Sequence, residues 1–437
     1  MKLILENIGK IKEASIEING ITIIAGENNT GKSTVGRALF AVFNSFNNVK
    51  ERIENARIDN MRTLLQLIIT TAVPQQALAL DLNEIAKTIV SRIDEYRKAE
   101  LLDVRDNIVE LISQYQFRYS ESKNLAETFR DNVKLEEMSR ITNVLNVSDE
   151  KFLNHVLRRY LDTEFNGQVC NIFTEDDGKI ELHVGKNIIT VSIGSERSID
   201  VLNSSRLSLH TEAIYIDNPF LLDELSAAKY VLRSITYHQD HREHLHTKLL
   251  APAAEVNVFD EIIIKDKLDR VYERISSACD GEVIRERYSG LDSRVAGFQK
   301  KGSDKVLDIR NLSTGLKTFV IIKMLLGNGA IHYNGTIIMD EPEIHLHPKW
   351  QLLFAELIVL IQKEFGMHVL LNTHSPYFLN AIEVYSVKHG IDDKCKYYLA
   401  ESQDEGAVIK DVTDNIELIY RKLAEPFQDL ENTRGQL

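Results

Sequence analysis

Gly26-Glu27-Asn28-Asn29-Thr30-Gly31-Lys32-Ser33-Thr34 is a full match to GxxxxGK[ST], the loop that cradles phosphates. Its flanks carry the secondary structure such a loop needs. Ile21-Thr22-Ile23-Ile24-Ala25 is an apolar, β-branched run that reads as a strand, and Val35-Gly36-Arg37-Ala38-Leu39-Phe40 opens a helical pattern. A strand, a glycine-rich turn and a helix N-terminus, in that order, gather backbone N–H groups and the positive end of a helix dipole around an anion. In that geometry the loop from Gly26 through Asn28, Asn29, Thr30 and Gly31 to Thr34 wraps a β-phosphate, the Lys32 ammonium reaches the β/γ oxygens, and the Ser33 hydroxyl ligates Mg²⁺. The expected ligand is a nucleoside triphosphate.

The 437 residues suffice for two or three domains, and 43% hydrophobic content supports packed cores. A net charge of −13 without a polybasic tail argues against non-specific nucleic-acid binding over the whole surface, while leaving room for a local basic face. Three scattered cysteines, Cys170, Cys279 and Cys395, form no CxxC pair, which points to a reduced intracellular protein with neither a disulfide framework nor a thiolate zinc site. The N-terminus has no signal-peptide core, and no apolar run approaches the length of about 18 residues that a membrane span needs. A cytoplasmic, soluble protein without membrane contact is expected.

Working outward from the loop, Leu3-Ile4-Leu5, Ala14–Ile18 and Ile21–Ala25 read as short strands, with Asn19-Gly20 as a hairpin turn between the last two. The texture then changes. No glycine occurs between Gly36 and Gly167, and Pro74 is the sole proline there, so the interval reads as almost entirely helical. Leu101, Val104, Ile108, Leu111, Ile112 and Tyr115 recur at the three- and four-residue steps of one apolar face. Without a sustained heptad this predicts a folded-back bundle or short arm inserted over 46–164, either packed on the remainder or serving as a partner-docking surface. Strands are expected again at Val169–Phe173, Ile180–Val184, Ile188–Ile193 and Ala213–Asp217, followed by a charged helical subdomain over about 220–290. The last third alternates helix and apolar strand, the pattern of a parallel sheet covered by helices.

Thr336-Ile337-Ile338-Met339-Asp340-Glu341-Pro342 is an apolar strand ending in two carboxylates, suited to hold Mg²⁺ through Asp340 and to orient or deprotonate water through Glu341. Asn311-Leu312-Ser313-Thr314-Gly315-Leu316-Lys317 precedes the apolar helical run Phe319–Leu326 and offers an anion the hydroxyl and backbone donors of a helix start. A further strand, His368-Val369-Leu370-Leu371-Asn372, runs into Thr373-His374-Ser375-Pro376, placing a histidine where it can reach a γ-phosphate.

These four elements, in this order, resemble an ABC-type ATPase head of the SMC/RecF/OLD branch over residues 1–40 and about 290–380. The resemblance implies an α/β P-loop NTPase of ABC-ATPase type with a largely helical insertion, made of a discontinuous head (1–45 plus 165–437). It implies ATP and Mg²⁺ as cofactors, Ser313, Thr314 and Gly315 as the signature motif, Glu341 and Lys32 as catalytic groups and His374 as the switch histidine. Asp340-Glu341-Pro342-Glu343-Ile344-His345-Leu346-His347-Pro348 is similar to the form seen in bacterial OLD-like ATPases, many of them in anti-phage systems such as Septu and PARIS. Such heads imply a homodimer or higher homo-oligomer that sandwiches ATP, the signature of one copy facing the P-loop of the other. The signature here reads Leu312-Ser313-Thr314-Gly315-Leu316 in place of LSGGQ, which predicts slow turnover. A Q-loop glutamine is not evident, and Asp217-Asn218 is the substitute candidate.

OLD proteins proper carry a Toprim nuclease. The 57 residues after Asn380 lack the Glu plus Asp-x-Asp set of that chemistry, so any nuclease is expected on a separate partner protein. The functional expectation is an ATP-hydrolysing switch controlling such an effector in phage defence. The alternative is a RecF/SMC-like DNA-repair clamp, with nucleic acid as partner. A transporter motor is disfavoured by the insertion and the altered signature. His238, His241, His244 and His246 read as a solvated helix rather than a metal site, and His345-Leu346-His347 as a structural loop at the dimer interface rather than a zinc site.

Overall fold

The computed structural model describes residues 1–73, 80–115, 125–174, 176–194, 198–202, 209–225, 240–252, 258–287 and 294–434. The chain divides into two compact units, Met1–Asn47 with Val156–Leu437, and Asn48–His155. Along the chain the strands are β1 (Lys2–Ile8), β2 (Ile11–Glu17), β3 (Ile21–Gly26), β4 (Gly178–Val184), β5 (Asn187–Ile193), β6 (Ile199–Leu202), β7 (Ala213–Ile216), β8 (Gly281–Arg287), β9 (Arg294–Lys300), β10 (Val306–Asp308), β11 (Thr336–Asp340), β12 (His368–Thr373), β13 (Cys395–Gln403) and β14 (Gly406–Asp411). The helices are α1 (Lys32–Ser45), α2 (Val49–Ala72), α3 (Leu82–Ser91), α4 (Ile93–Lys98), α5 (Leu101–Gln114), α6 (Leu125–Asn132), α7 (Leu135–Asn146), α8 (Asp149–Phe165), α9 (His241–Leu250), α10 (Val258–Ser276), α11 (Thr314–Gly327), α12 (Pro348–Phe365), α13 (Pro376–His389) and α14 (Glu417–Arg434).

The first unit is built on one large sheet, ordered β6-β5-β4-β1-β2-β14-β13-β3-β12-β11-β7 among the described residues. Its centre is parallel: β3 lies between β12 and β13, and β11 between β12 and β7. Every residue of β3 is buried, and β7 and β12 are nearly as apolar, the signature of strands covered on both faces. This centre aims the C-terminal ends of β3, β11, β12 and β7 at one edge, where ligands of open parallel sheets bind. The flank β1-β2-β4-β5-β6 is antiparallel.

The second unit is helical. Val104, Ile108, Leu111 and Ile112 of α5 are buried with Met61, Leu65 and Ile69 of α2 and Met138, Ile141 and Leu145 of α7 in one apolar core. The three- and four-residue spacing of the α5 positions is what turns them to a single face.

Several expectations need correction. Asn19-Gly20 does not close a hairpin: β2 pairs with β1 and β14, and the turn instead carries the chain across the sheet to β3. A fully buried strand demands partners on both edges, and β3 finds them in β12 and β13. Val169–Phe173 is no strand beyond an isolated bridge between Cys170 and Ile8, because the Asn171 side chain accepts the Phe173 N–H at 3.0 Å and turns the backbone. The helices described in this interval, α9 and α10, end before Gly281, where β8, β9 and β10 form a separate antiparallel sheet. Its register sets Val283 opposite Phe298, and both pack on the main core. The histidine helix is not solvated either: His241, His244 and His246 of α9 are buried, while His238 lies outside the described residues.

Candidate functional site at the end of the parallel strands

The loop between β3 and α1 is held by close backbone approach. A Cβ on Gly26 would collide with the Ala400 carbonyl, and Gly31 has φ +81° with the Ile11 side chain against its Cα. Asn29, at φ +63°, supplies the other left-handed residue. Thr30 closes the loop by donating its hydroxyl to Glu27 O at 2.8 Å. The first N–H groups used by the helix are those of Thr34 and Val35, which bond to Gly31 O at 3.0 and 3.3 Å. Those of Gly31, Lys32 and Ser33 find no acceptor among the described residues, so they remain available to an anion. Asn28 and Asn29 are exposed, while Ser33 and Thr34 are half-buried.

Lys32 is 4% exposed, and its ammonium bonds to Gly26 O at 3.0 Å and Glu27 O at 2.6 Å. Burial lowers its pKa, opposed by the carboxylates of Glu341, Asp340, Glu343 and Glu27. A buried cation bonded only to carbonyl dipoles suits a highly charged phosphate partner.

Asp340 ends β11 in register with Asn372 of β12. Both of its oxygens are held: Asn372 Nδ2 donates to Oδ1 at 3.0 Å and Tyr215 Oη donates to Oδ2 at 3.2 Å. The same Asn372 amide also bonds to Lys32 O at 3.1 Å, tying the Asp340 strand to the start of α1. Burial, and secondarily the Asp340 charge, push the Tyr215 phenol well above its ordinary pKa, so it stays a donor. Ser33, Asp217, Asn218, Asp340, Glu341 and His345 line one 220 Å³ cavity. One carboxylate and one hydroxyl are the sparse protein ligation Mg²⁺ accepts beside phosphate oxygens and water, so the residues fit that ion. Among the described residues no cluster of three His, Cys, Asp or Glu side chains is arranged to hold a metal.

Glu341 follows at φ +47°, its N–H bonded to Asn372 O at 2.9 Å. Its Oε1 lies 3.2 Å from His374 Nδ1. The structure therefore brings Lys32, Ser33, Asp340, Glu341 and His374 to one edge of the sheet. Ser313 and Gly315 stand apart. Ser313 precedes α11 without a side-chain cap bond, and with Thr314, Gly315, His345, His347, Lys349 and Trp350 it lines a different, shallower pocket of 440 Å³.

Sequence reasoning missed the support behind the site. Asp217, at the end of β7, forms an ion pair with His241, its carboxylate 3.2 Å from Nε2, and accepts from Arg242 Nε at 2.9 Å. His241 Nδ1 meets Glu164 Oε2 at 2.8 Å, and its ring stacks on Tyr215 with centroids 4.5 Å apart. Burial would lower the His241 pKa, but its bonds to Asp217 and Glu164 outweigh that and raise it to about 9. Burial would raise Asp217, yet His241 and Arg242 hold it at about 2. The tyrosine in an otherwise apolar Ala213–Ile216 run was the available signal, since a buried phenol needs a partner.

The family described as "AAA ATPase domain" matches residues 1–379. The chain belongs to it. This AAA ATPase is also similar to Septu protein PtuA of Bacillus thuringiensis, 29% identical over 129 residues that cover 26% of this chain and 32% of PtuA. It is similar to the Retron Vc95 probable ATPase of Vibrio cholerae serotype O1 biovar El Tor, 29% identical over 100 residues, 20% of this chain and 18% of that protein. An OLD nuclease of Thermus scotoductus is 26% identical over 115 residues, 25% of this chain and 22% of the nuclease. The chain thus spans a third or less of the length of these curated relatives. Among solved structures, the SmcHead bound to the C-winged helix domain of ScpA aligns at TM-score 0.41 and 10% identity over 95% of this chain and 98% of that one. The SMC head domain from Thermotoga maritima aligns at 0.38 and 11% over 94% and 98%. Among the described residues of this AAA ATPase, no helix is long and apolar enough to cross a membrane.

Proposed function

We propose that this AAA ATPase binds and hydrolyses ATP as the switch of a bacterial anti-phage system, pairing with a second copy through ATP and controlling a separate effector nuclease. The observation that carries the ATPase reading is the convergence of Lys32, Ser33, Asp340, Glu341 and His374 on one edge of the sheet. The loop N–H groups and Lys32 would bind the phosphates, and Ser33 with Asp340 would hold Mg²⁺, which would neutralise triphosphate charge. Glu341 accepts the proton of the attacking water, and His374 fixes its orientation. Ser313, Thr314 and Gly315 line a separate pocket rather than this cavity, which suits contact with the nucleotide of a second copy. Partial similarity to PtuA and to a retron ATPase supports the defence role.

The test is the mass of the purified protein in solution, with and without ATP and with and without duplex DNA, for wild type, Lys32→Ala and Glu341→Gln. Lys32→Ala should weaken nucleotide binding and stay in the nucleotide-free state. Glu341→Gln should bind ATP, trap it and accumulate the larger assembly without DNA. Hydrolysis by Glu341→Gln at the wild-type rate would overturn the role given to Glu341, and assembly only on DNA would favour a repair clamp.

A further inference from the structure

Two residues beyond Glu341 stands a second glutamate that the reading above leaves idle. Glu343 is 2% exposed, whereas the Glu341 side chain is 26% exposed. Glu343 Oε1 accepts the hydroxyl of Thr373, itself 1% exposed, and Oε2 meets no hydrogen-bond partner. The Thr373 oxygen in turn accepts the Ser375 N–H at 3.0 Å, and the Glu343 carbonyl accepts the Leu346 N–H at 2.9 Å. Glu343 therefore sits where two backbone segments cross: the turn that carries Glu341, and the loop that carries His374.

The charges around it do not favour an anion. Lys32 is the nearby cation, but four carboxylates share it, and Glu341 lies on the same turn. A buried carboxylate with one bare oxygen is costly, and the neutral acid costs less because only an uncharged O–H is left without a partner. Burial raises the Glu343 carboxyl, and the Glu341 charge pushes the same way; the Thr373 bond, its own N–H and His374 offset this only in part.

We propose that Glu343 is a positioning residue for hydrolysis: a neutral acid hydrogen-bonded to Thr373, it keeps the turn bearing Glu341 in register with the loop bearing His374. The proposal rests on the roles assigned above to Glu341 and His374. Its consequence is that two glutamates in one short turn answer oppositely to the same substitution. An amide reproduces a neutral acid, with an oxygen to accept from Thr373, but cannot take a proton from water as Glu341 does.

The experiment compares full-length Glu343→Gln, Glu343→Ala, Thr373→Val and Glu341→Gln for kcat, for KM and for affinity toward a fluorescent ATP analogue. Glu343→Gln is expected to keep kcat within about twofold of wild type, the range of a preserved geometry. Glu343→Ala and Thr373→Val should lose about tenfold or more in kcat at unchanged KM and analogue affinity, as small misplacements of reacting groups do. If Glu343→Ala fails to fold, the near-isosteric Thr373→Val carries the same comparison. Loss of kcat in Glu343→Gln equal to that in Glu341→Gln would overturn the proposal, because charge would then be the need. Wild-type kcat in Thr373→Val would overturn it too. Wild-type hydrolysis by Glu341→Gln would instead overturn the site assignment and, with it, the role given to Glu343.

Discussion

Asp340 can serve a cation only if its carboxylate is held at the right angle, and it is held from both sides by groups that are not themselves ligands. Asn372 comes from the neighbouring strand in register, and Tyr215 comes from β7, 125 positions earlier in the chain. Removing only the Tyr215 hydroxyl leaves the ring packed on His241 and frees one oxygen of Asp340. Tyr215→Phe is accordingly expected to raise the Mg²⁺ concentration needed for nucleotide binding by about tenfold, the usual scale for outer-shell partners of a ligand. Titrating Mg²⁺ against binding of a fluorescent ATP analogue checks this, and an unchanged midpoint would remove Tyr215 from the site.

At the scale of elements, β7, α8 and α9 meet in a buried ionic junction of Asp217, Glu164 and His241. The folded His241 pKa of about 9 stands above its ordinary 6.5. A raised base stabilises the fold fully below the unfolded pKa, and that stability is lost as pH rises through the folded one. At about 1.4 kcal/mol per unit, the junction contributes on the order of 3 kcal/mol at pH 6, fading between pH 6.5 and 9. Asp217, lowered to about 2, works in the opposite sense and loses its contribution only as pH falls from about 4 toward 2. Thermal melts of wild type and His241→Gln should therefore differ most at pH 6 and converge by pH 9; parallel curves would show that His241 is not charged in the fold. Asp217 stood out in the sequence only as a Q-loop substitute, and its junction with Glu164 and His241 was not legible there. Lys32, Ser33, Asp340, Glu341 and His374 could be picked out because a local spacing rule ties each to a strand end or a helix start. Glu164, Asp217 and His241 meet only after distant segments pack, and a run of histidines among charges looks solvated until that happens. The same limit explains Asn19-Gly20. A turn dipeptide reports a local reversal, but the full burial of β3 dictates its partners, and those arrive more than 300 positions later in β12 and β13.

At the scale of the molecule, the turn from Glu341 to His347 borders two cavities. His345 lines both the one containing Ser33 and Asp340 and the one containing Ser313 and Gly315. If a second copy delivers its nucleotide to the latter, the same short turn touches the nucleotides of both copies. Filling one pocket would then bias the turn toward the shape that the other pocket requires, which is a coupling free energy and is felt equally in both directions. The saturation curve for ATP should be sigmoidal, with a Hill coefficient above one, and should become hyperbolic in a mixed dimer with one Lys32→Ala copy. Two catalytic centres joined through a single turn would then fire in concert, so the assembly would respond to the cell's ATP level as a threshold rather than in proportion.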